Sequence, residues 1–266
     1  MRTWGIVPAA GVGSRIQPLA FSKELLPVGS RNDGEAERPR AVSEYLLERM
    51  ALAGASCICI VVSSGKSDII EYYGATYSGA RIAYVVQPRP AGLCDAIFQA
   101  SPLIADDDEV LVGLPDTIWF PADALARLGR SGLQFLLFSV EHPELFDAVV
   151  TDEETRILAI DVKNANARSR WIWGAFKMPG RTLRELDALW RERGSSDIYV
   201  GALINAWLAR GGQAHAVRAG GAYVDVGTLN GYRAAIRLLA AMQPETTESG
   251  AVGYAAAKGD PAWKST

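Results

Sequence analysis

The sequence predicts an α/β fold with a mixed, mostly parallel central sheet flanked by helices, and three observations carry that prediction. Short apolar runs alternate with helix-period patterns through the first third of the 266-residue chain, as they do where helices cover both faces of a sheet. Loops rich in glycine and proline follow several of these runs, at the strand ends where open sheets of this kind hold ligands. The composition is that of a globular chain, 49% apolar and 21% charged with a net charge of −3; disordered, collagen-like and disulfide-framework classes are excluded.

Taken in order, residues 4–8 form a first apolar strand, and a helix follows with Val42, Tyr45, Leu46, Met50 and Ala53 on one face. Residues 57–63 are the second strand, followed by a helix over 68–73, a strand over 82–86, a helix over 92–100 and a strand over 109–112. From Gln134 onward the rhythm changes. Strand-like runs at 134–140, 148–151, 157–162 and 171–177 arrive with fewer helices between them and extend the sheet. Helical patterns at 182–192 and 198–209, a strand at 222–226 and a helix at 229–242 complete one domain over residues 1–242. Residues 243–266 are rich in small and polar side chains and are expected to be flexible or docked on a partner. The polar insertion at 29–38 is expected to form a loop near the rim of the active site.

The charge balance provides no basic footprint for nucleic acid, so an anionic ligand must be met by locally placed cations and backbone N–H groups. No run reaches the roughly 18–20 apolar residues of a membrane span, and no signal peptide opens the chain. A cytoplasmic protein without nucleic-acid or membrane partners is expected. Three cysteines without a CxxC spacing argue against a thiolate zinc site. Cys57 and Cys59 alternate along one strand face and are expected to be buried thiols in a reducing compartment. The only histidines, His142 and His215, read as ordinary loop or strand residues. Chemistry must therefore rest on carboxylates, cations and a metal.

The first strand runs into Pro8-Ala9-Ala10-Gly11-Val12-Gly13-Ser14-Arg15 and, beyond Pro18, into Lys23-Glu24-Leu25-Leu26-Pro27. Glycines there allow backbone N–H groups to approach phosphate oxygens. A dinucleotide fingerprint needs a third glycine where Ile16 stands, and a Walker loop needs Lys and Ser or Thr directly after the second glycine. Neither fits. What remains is a glycine loop with two cations, Arg15 and Lys23, able to face a polyphosphate from the side opposite the amides.

In this order these residues resemble the GxG(S/T)Rx2Px4KxLLP signature of the sugar-phosphate nucleotidylyltransferases. The resemblance covers roughly residues 3–240. It implies a Rossmann-like nucleotide-diphospho-sugar transferase fold and Mg²⁺-dependent transfer of a nucleotidyl group, from dTTP or UTP by preference, to a sugar 1-phosphate. It also implies nucleotide binding by Ala10, Gly11, Gly13, Ser14 and Arg15, with Arg15 stabilising pyrophosphate and Lys23 neutralising the reacting phosphates. The segment from Gln87 to Ala96 is similar to the family's QPxPxGLAxA run, which assigns Gln87 to the base edge and Gly92 to close backbone approach; Asp95 has no assigned role. A glutamine amide carries both a donor and an acceptor for an imide edge. Asp116, taken as the end of an apolar strand beginning at Leu111, is similar to the family's metal aspartate. Asp225, in Tyr223-Val224-Asp225-Val226-Gly227-Thr228, is similar to its second metal carboxylate. Hard Mg²⁺ suits such oxygen ligands. The neighbouring run Asp106-Asp107-Asp108 reads as an exposed turn.

On the acceptor side the resemblance assigns Lys163 and Gly174 to sugar-phosphate binding, but departures gather here. Val162 stands where the family has a glutamate and Asn164 where it has a proline, while Trp171 and Trp173 are unusually bulky and read as core packing. Asp197, in Ser196-Asp197-Ile198-Tyr199, keeps an acidic residue without the usual glutamate. These departures motivate two alternatives: a catalytically inactive regulatory protein that binds nucleotide or sugar phosphate, and an enzyme acting on a phosphorylated alcohol. Members of the family are often oligomeric, so a homo-oligomer is compatible with the resemblance.

Overall fold

A computed structural model describes residues 1–129 and 131–242; the tail proposed over 243–266 lies outside the described residues. The chain begins with β1 (Thr3–Pro8), whose Trp4 and Ile6 enter the apolar core on one sheet face while Val7 enters that on the other. Such alternation is what a strand covered on both sides requires. After the glycine loop come β2 (Pro27–Asn32), β3 (Glu37–Ala41) and α1 (Val42–Leu52). The insertion is thus an antiparallel hairpin rather than a rim loop; its residues line a separate surface hollow with Phe21 and Tyr72. Residues Arg31–Asn32 and Glu37–Arg38 are paired across it, which polar exposed strands permit as well as apolar ones.

Then follow β4 (Cys57–Val62), α2 (Ser67–Tyr73), β5 (Thr76–Tyr77), β6 (Ala80–Val86), α3 (Leu93–Phe98) and β7 (Glu109–Gly113). β8 (Thr117–Phe120), β9 (Leu133–Ser139), β10 (Asp147–Thr151), β11 (Ile157–Val162) and β12 (Trp171–Pro179) come next. The described residues end with α4 (Gly180–Glu192), α5 (Val200–Ala209), β13 (Ala214–Arg218), β14 (Ala222–Asp225) and α6 (Leu229–Met242).

Ten strands form the main sheet, in the order β11-β10-β12-β7-β1-β4-β6-β5, with β9 on β12 and β13 on β9. Pairings from β7 through β1 and β4 to β6 are parallel, while β12 joins β7 and β9 antiparallel. The expected mixed sheet is present, its parallel part formed by the βα units of the first half. β1 lies between β4 and β7, so the loops leaving β1 and β7 diverge and open a crevice at that edge of the sheet.

Two local readings change. Asp116 does not end a strand: β7 stops at Gly113, and Asp116 sits in the turn before β8. Within the acidic run, Asp106 and Asp107 are exposed but Asp108 is buried, accepting from the backbone N–H of Arg2 (2.7 Å) and Ala105 (3.1 Å) and from Trp4 Nε1 (3.2 Å). Three donors compensate the burial of that carboxylate. Cys59 and Cys94 are buried free thiols and Cys57 is half-buried. Burial pushes Cys59 and Cys94 up to about 12, a range of inert structural thiols. Among the described residues no helix is long and apolar enough to cross a membrane.

Candidate active site

The crevice is a cavity of about 450 Å³ whose walls include Gly11, Arg15, Lys23, Gln87, Asp116 and Asp225. Gly92 and Lys163 also line it, but Ala10, Gly13, Ser14 and Gly174 do not. Ala10 is buried and Ser14 exposed. Gly13 has φ +71°, and a Cβ there would lie 2.5 Å from Lys23 Cδ, so a glycine lets the lysine stem cross beneath the loop. Gly174 is a packing residue: a Cβ would meet Phe138 at 2.6 Å and Tyr223 at 3.0 Å.

The two aspartates, far apart in sequence, are joined by a two-stranded antiparallel ribbon outside the main sheet. β14 pairs with β8 so that Asp225 lies opposite Thr117, and Val226 N–H donates to the Asp116 carbonyl at 2.8 Å. Both carboxylates thereby reach one point. An ideal Cβ on Gly227 would sit 2.8 Å from Asp225 Oδ1, 3.2 Å from Asp116 Oδ2 and 3.0 Å from Arg15 Nη2. Lys23 Nζ pairs with Asp116, and Arg15 Nη1 approaches Asp225 Oδ2 at 3.4 Å. Burial and the neighbouring Asp116 charge push the Asp225 carboxyl up, against the Gly227 N–H, Arg15 and Lys23. Burial would lower Lys23, but Asp116, Glu24 and Asp225 outweigh it and raise its pKa. Two carboxylates and two cations at one place can hold a divalent cation together with a polyphosphate. Among the described residues no third His, Cys, Asp or Glu joins the pair, so Asp116 and Asp225 are the protein groups that would hold such a cation.

A buried clamp under the glycine loop was not legible in the sequence. Lys66 Nζ donates to the carbonyls of Ala9 (2.6 Å) and Gly11 (2.7 Å) and to both oxygens of Glu24 (2.8 Å each). It ties the loop to the turn that carries Lys23. Burial lowers Lys66 and raises Glu24, each opposed by the other's charge.

Gln87 ends up buried at the end of β6. Its Nε2 donates to Asp95 Oδ2 (2.5 Å) and the Gly92 carbonyl (3.3 Å), while its Oε1 accepts no hydrogen bond among the described residues. Asp95, without a role in the sequence reading, fixes which end of the amide is free. Gly92 has φ +95° and would press a Cβ against Ile198 at 3.0 Å, so a side chain there is strained twice over.

The acceptor end is formed differently. Lys163 is exposed, with φ +42°, and its Nζ lies over the Tyr199 ring at 4.6 Å. The loop that follows is anchored by Asp161, which accepts from Arg168 Nη2 at 2.6 Å and Arg168 N at 2.9 Å. These bonds hold the Asp161 carboxyl below the usual range. Asp197 does not line the cavity; Arg193 pairs with it at 2.7 Å. Trp173 packs on Phe135 and Phe176 as expected, yet it also lines the cavity. Trp171 packs against the same core, half-buried, and its outer side carries Arg218 at 5.1 Å. His142 is exposed beside Glu144 and His215 is exposed on β13; neither lines the cavity.

A family model described as nucleotidyl transferase matches residues 4–241, the whole span that forms sheet and crevice. The chain belongs to this family. Among similar proteins, the glucose-1-phosphate thymidylyltransferase of Neisseria meningitidis serogroup A is 29% identical over 177 residues, covering 63% of this chain and 58% of that protein. The protein of the same name from Neisseria gonorrhoeae is 26% identical over 236 residues, covering 79% and 78%. The chain spans about half the length of other curated relatives, as with 46% of a Streptomyces antibioticus thymidylyltransferase. In fold it resembles the UTP-bound UGPase of Acinetobacter baumannii, with TM-score 0.74 at 20% identity over 92% of this chain and 95% of that one.

Proposed function

We propose that the chain transfers a nucleotidyl group from dTTP or UTP to a phosphate monoester, a sugar 1-phosphate by family resemblance, with Mg²⁺ as cofactor. The observation that carries this reading is the convergence of Asp116, Asp225 and Arg15 on the space beside Gly227, with Lys23 on Asp116. Asp116 and Asp225 would hold Mg²⁺, which supplies charge neutralisation and orientation for the phosphates when bound.

The remaining work falls to the chain's own groups. An acceptor phosphate oxygen attacks the α-phosphorus in line; a new P–O bond forms as the bond from the α-phosphorus to the bridging oxygen breaks, and pyrophosphate leaves with the electron pair. Such chemistry needs positioning and charge stabilisation more than acid or base catalysis. That accounts for a site without histidine. Arg15 and the glycine-loop amides bind the departing phosphates, Lys23 neutralises the reacting centre, and Lys163 holds the acceptor phosphate. Gln87 presents an acceptor oxygen, which suits the N3–H of a thymine or uracil imide and not the lone pair at N3 of cytosine.

The test is pyrophosphate release with Mg²⁺, each common nucleoside triphosphate, and a panel of phosphate monoesters that includes hexose 1-phosphates. Release that needs both substrates and favours dTTP or UTP is expected. A folded protein that binds nucleotide yet releases no pyrophosphate with any acceptor would overturn the enzymatic reading in favour of a regulatory binding protein.

A further inference from the structure

Around Lys163 and Asp147 the cavity wall includes Leu145, Phe146, Trp173, Tyr199 and Tyr223. Lys163 is the one cation and Asp147 the one carboxylate of this stretch of wall.

Asp147 opens β10, where the backbone turns into the cavity beside Phe146. The Trp173 indole N–H donates to its Oδ2 at 3.4 Å, and the backbone N–H of Gly201, at the start of α5, bonds the same carboxyl. A Cβ on Gly201 would lie 3.0 Å from that Oδ2, so α5 approaches this carboxylate closely only because residue 201 is glycine. These two donors orient the group. Burial pushes the carboxyl up, while Trp173, Gly201 and the charge of Lys163 oppose that shift. An ionised Asp147 in this aromatic wall has no salt-bridge partner among the described residues, Lys163 acting on it only from a distance. Such a charge is costly unless the ligand itself supplies the counter-charge.

The geometry points to an acceptor that is a zwitterion: a phosphate monoester carrying an ammonium group, its phosphate on Lys163 and its ammonium on Asp147 among the aromatic rings. Aromatic faces add cation–π attraction to the ion pair. This inference rests on the reading of the cavity as a nucleotidyl-transfer site and narrows its acceptor.

Two matched pairs test it in the wild-type protein with UTP or dTTP and Mg²⁺. Glucosamine 1-phosphate is set against glucose 1-phosphate, and phosphocholine against its uncharged isostere 3,3-dimethylbutyl phosphate, with kcat/KM read from pyrophosphate release and binding read by calorimetry. The ammonium member of at least one pair should be favoured by about tenfold or more, the size of a desolvated charge contact; which pair responds tells an amino sugar from an amino alcohol. Asp147→Asn, which keeps an acceptor for Trp173 and Gly201, should remove that preference, costing the ammonium member of the pair more than the uncharged member. Turnover that favours the uncharged member of both pairs, or an Asp147→Asn loss shared equally by charged and uncharged acceptors, overturns the inference and leaves nucleotidyl transfer standing. Absence of ammonium-ester binding overturns it as well. Failure to bind any nucleoside triphosphate overturns both readings.

Discussion

The two ends of the cavity are constructed on different principles. At the nucleotide end, cations and carboxylates interlock: Lys23 on Asp116, Arg15 near Asp225, and Lys66 binding Glu24 and two loop carbonyls below them. At the acceptor end a single lysine and a single carboxylate stand apart in an aromatic wall. The contrast teaches that, on the proposed reading, a triphosphate would be met by a rigid charged frame, since its charge is large and the same for every nucleotide. The acceptor would be met by shape and by one counter-charge, which can be retuned without disturbing the frame.

The largest break in this contrast should come from the charged end. Asp116→Ala should lower kcat by on the order of 10³-fold or more with little change in Tm, because it removes a group that meets developing phosphate charge; near-normal activity at saturating Mg²⁺ would show that the carboxylate pair is not the metal site. Next, Gly227→Ala places a methyl where Asp225, Asp116 and Arg15 converge. Crowding that point should cost about 10–100-fold in turnover, since a misplacement of roughly an ångström is enough. Comparing it with Gly221→Ala, where the nearest atom to an added Cβ is a carbonyl oxygen at 3.5 Å, separates crowding of the site from loss of glycine in general.

A finer change sharpens base choice. Asp95→Asn lets the Gln87 amide turn over, because the partner then offers a donor as well as an acceptor. The ratio of kcat/KM for UTP over CTP should fall by about tenfold, the scale of one misdirected buried hydrogen bond. An unchanged ratio would mean that Gln87 does not read the base.

The smallest effect lies beneath the acceptor loop. Asp161→Asn should lower Tm by a few degrees, since the Arg168 partner is solvent-facing and screened. Because Arg168 and its backbone N–H hold Asp161 below the ordinary carboxylate range, the stability they provide is complete above about pH 4 and is lost as pH falls through the lowered value. The gap in stability between wild type and Asp161→Asn should therefore be flat from neutral pH down to about pH 5 and close in acid. A gap that grows on acidification would contradict the pairing.

Much of this molecule was legible in the sequence because the signals are local. Apolar runs of strand length, helix-period patterns and the glycine loop reflect stereochemistry within a few residues, and they predicted β1, α1, β4, β6, β7 and α4 close to where they lie. Strands of polar or short segments escaped, as with β2, β3, β8 and β13, since pairing partners rather than their own periodicity decide whether they form. Of the candidate residues, those with charged or amide side chains and backbone at strand ends did reach the cavity. Ala10, Gly13, Ser14 and Gly174 lie behind its walls, where they shape backbone and packing.

By itself the sequence determined the α/β alternation, the order of the motif segments and the kinds of charge available, because each is written in consecutive residues. Only the tertiary structure decided that Asp225 lies beside Asp116, that Lys66 clamps the glycine loop, that Asp95 orients Gln87, and that Asp147 lines the same cavity with Trp173 donating to it. Each of those depends on strand register or on a side chain reaching across a long loop closure. The free energy that fixes them comes from pairing and burial over the whole sheet, so no local stretch of chain contains it.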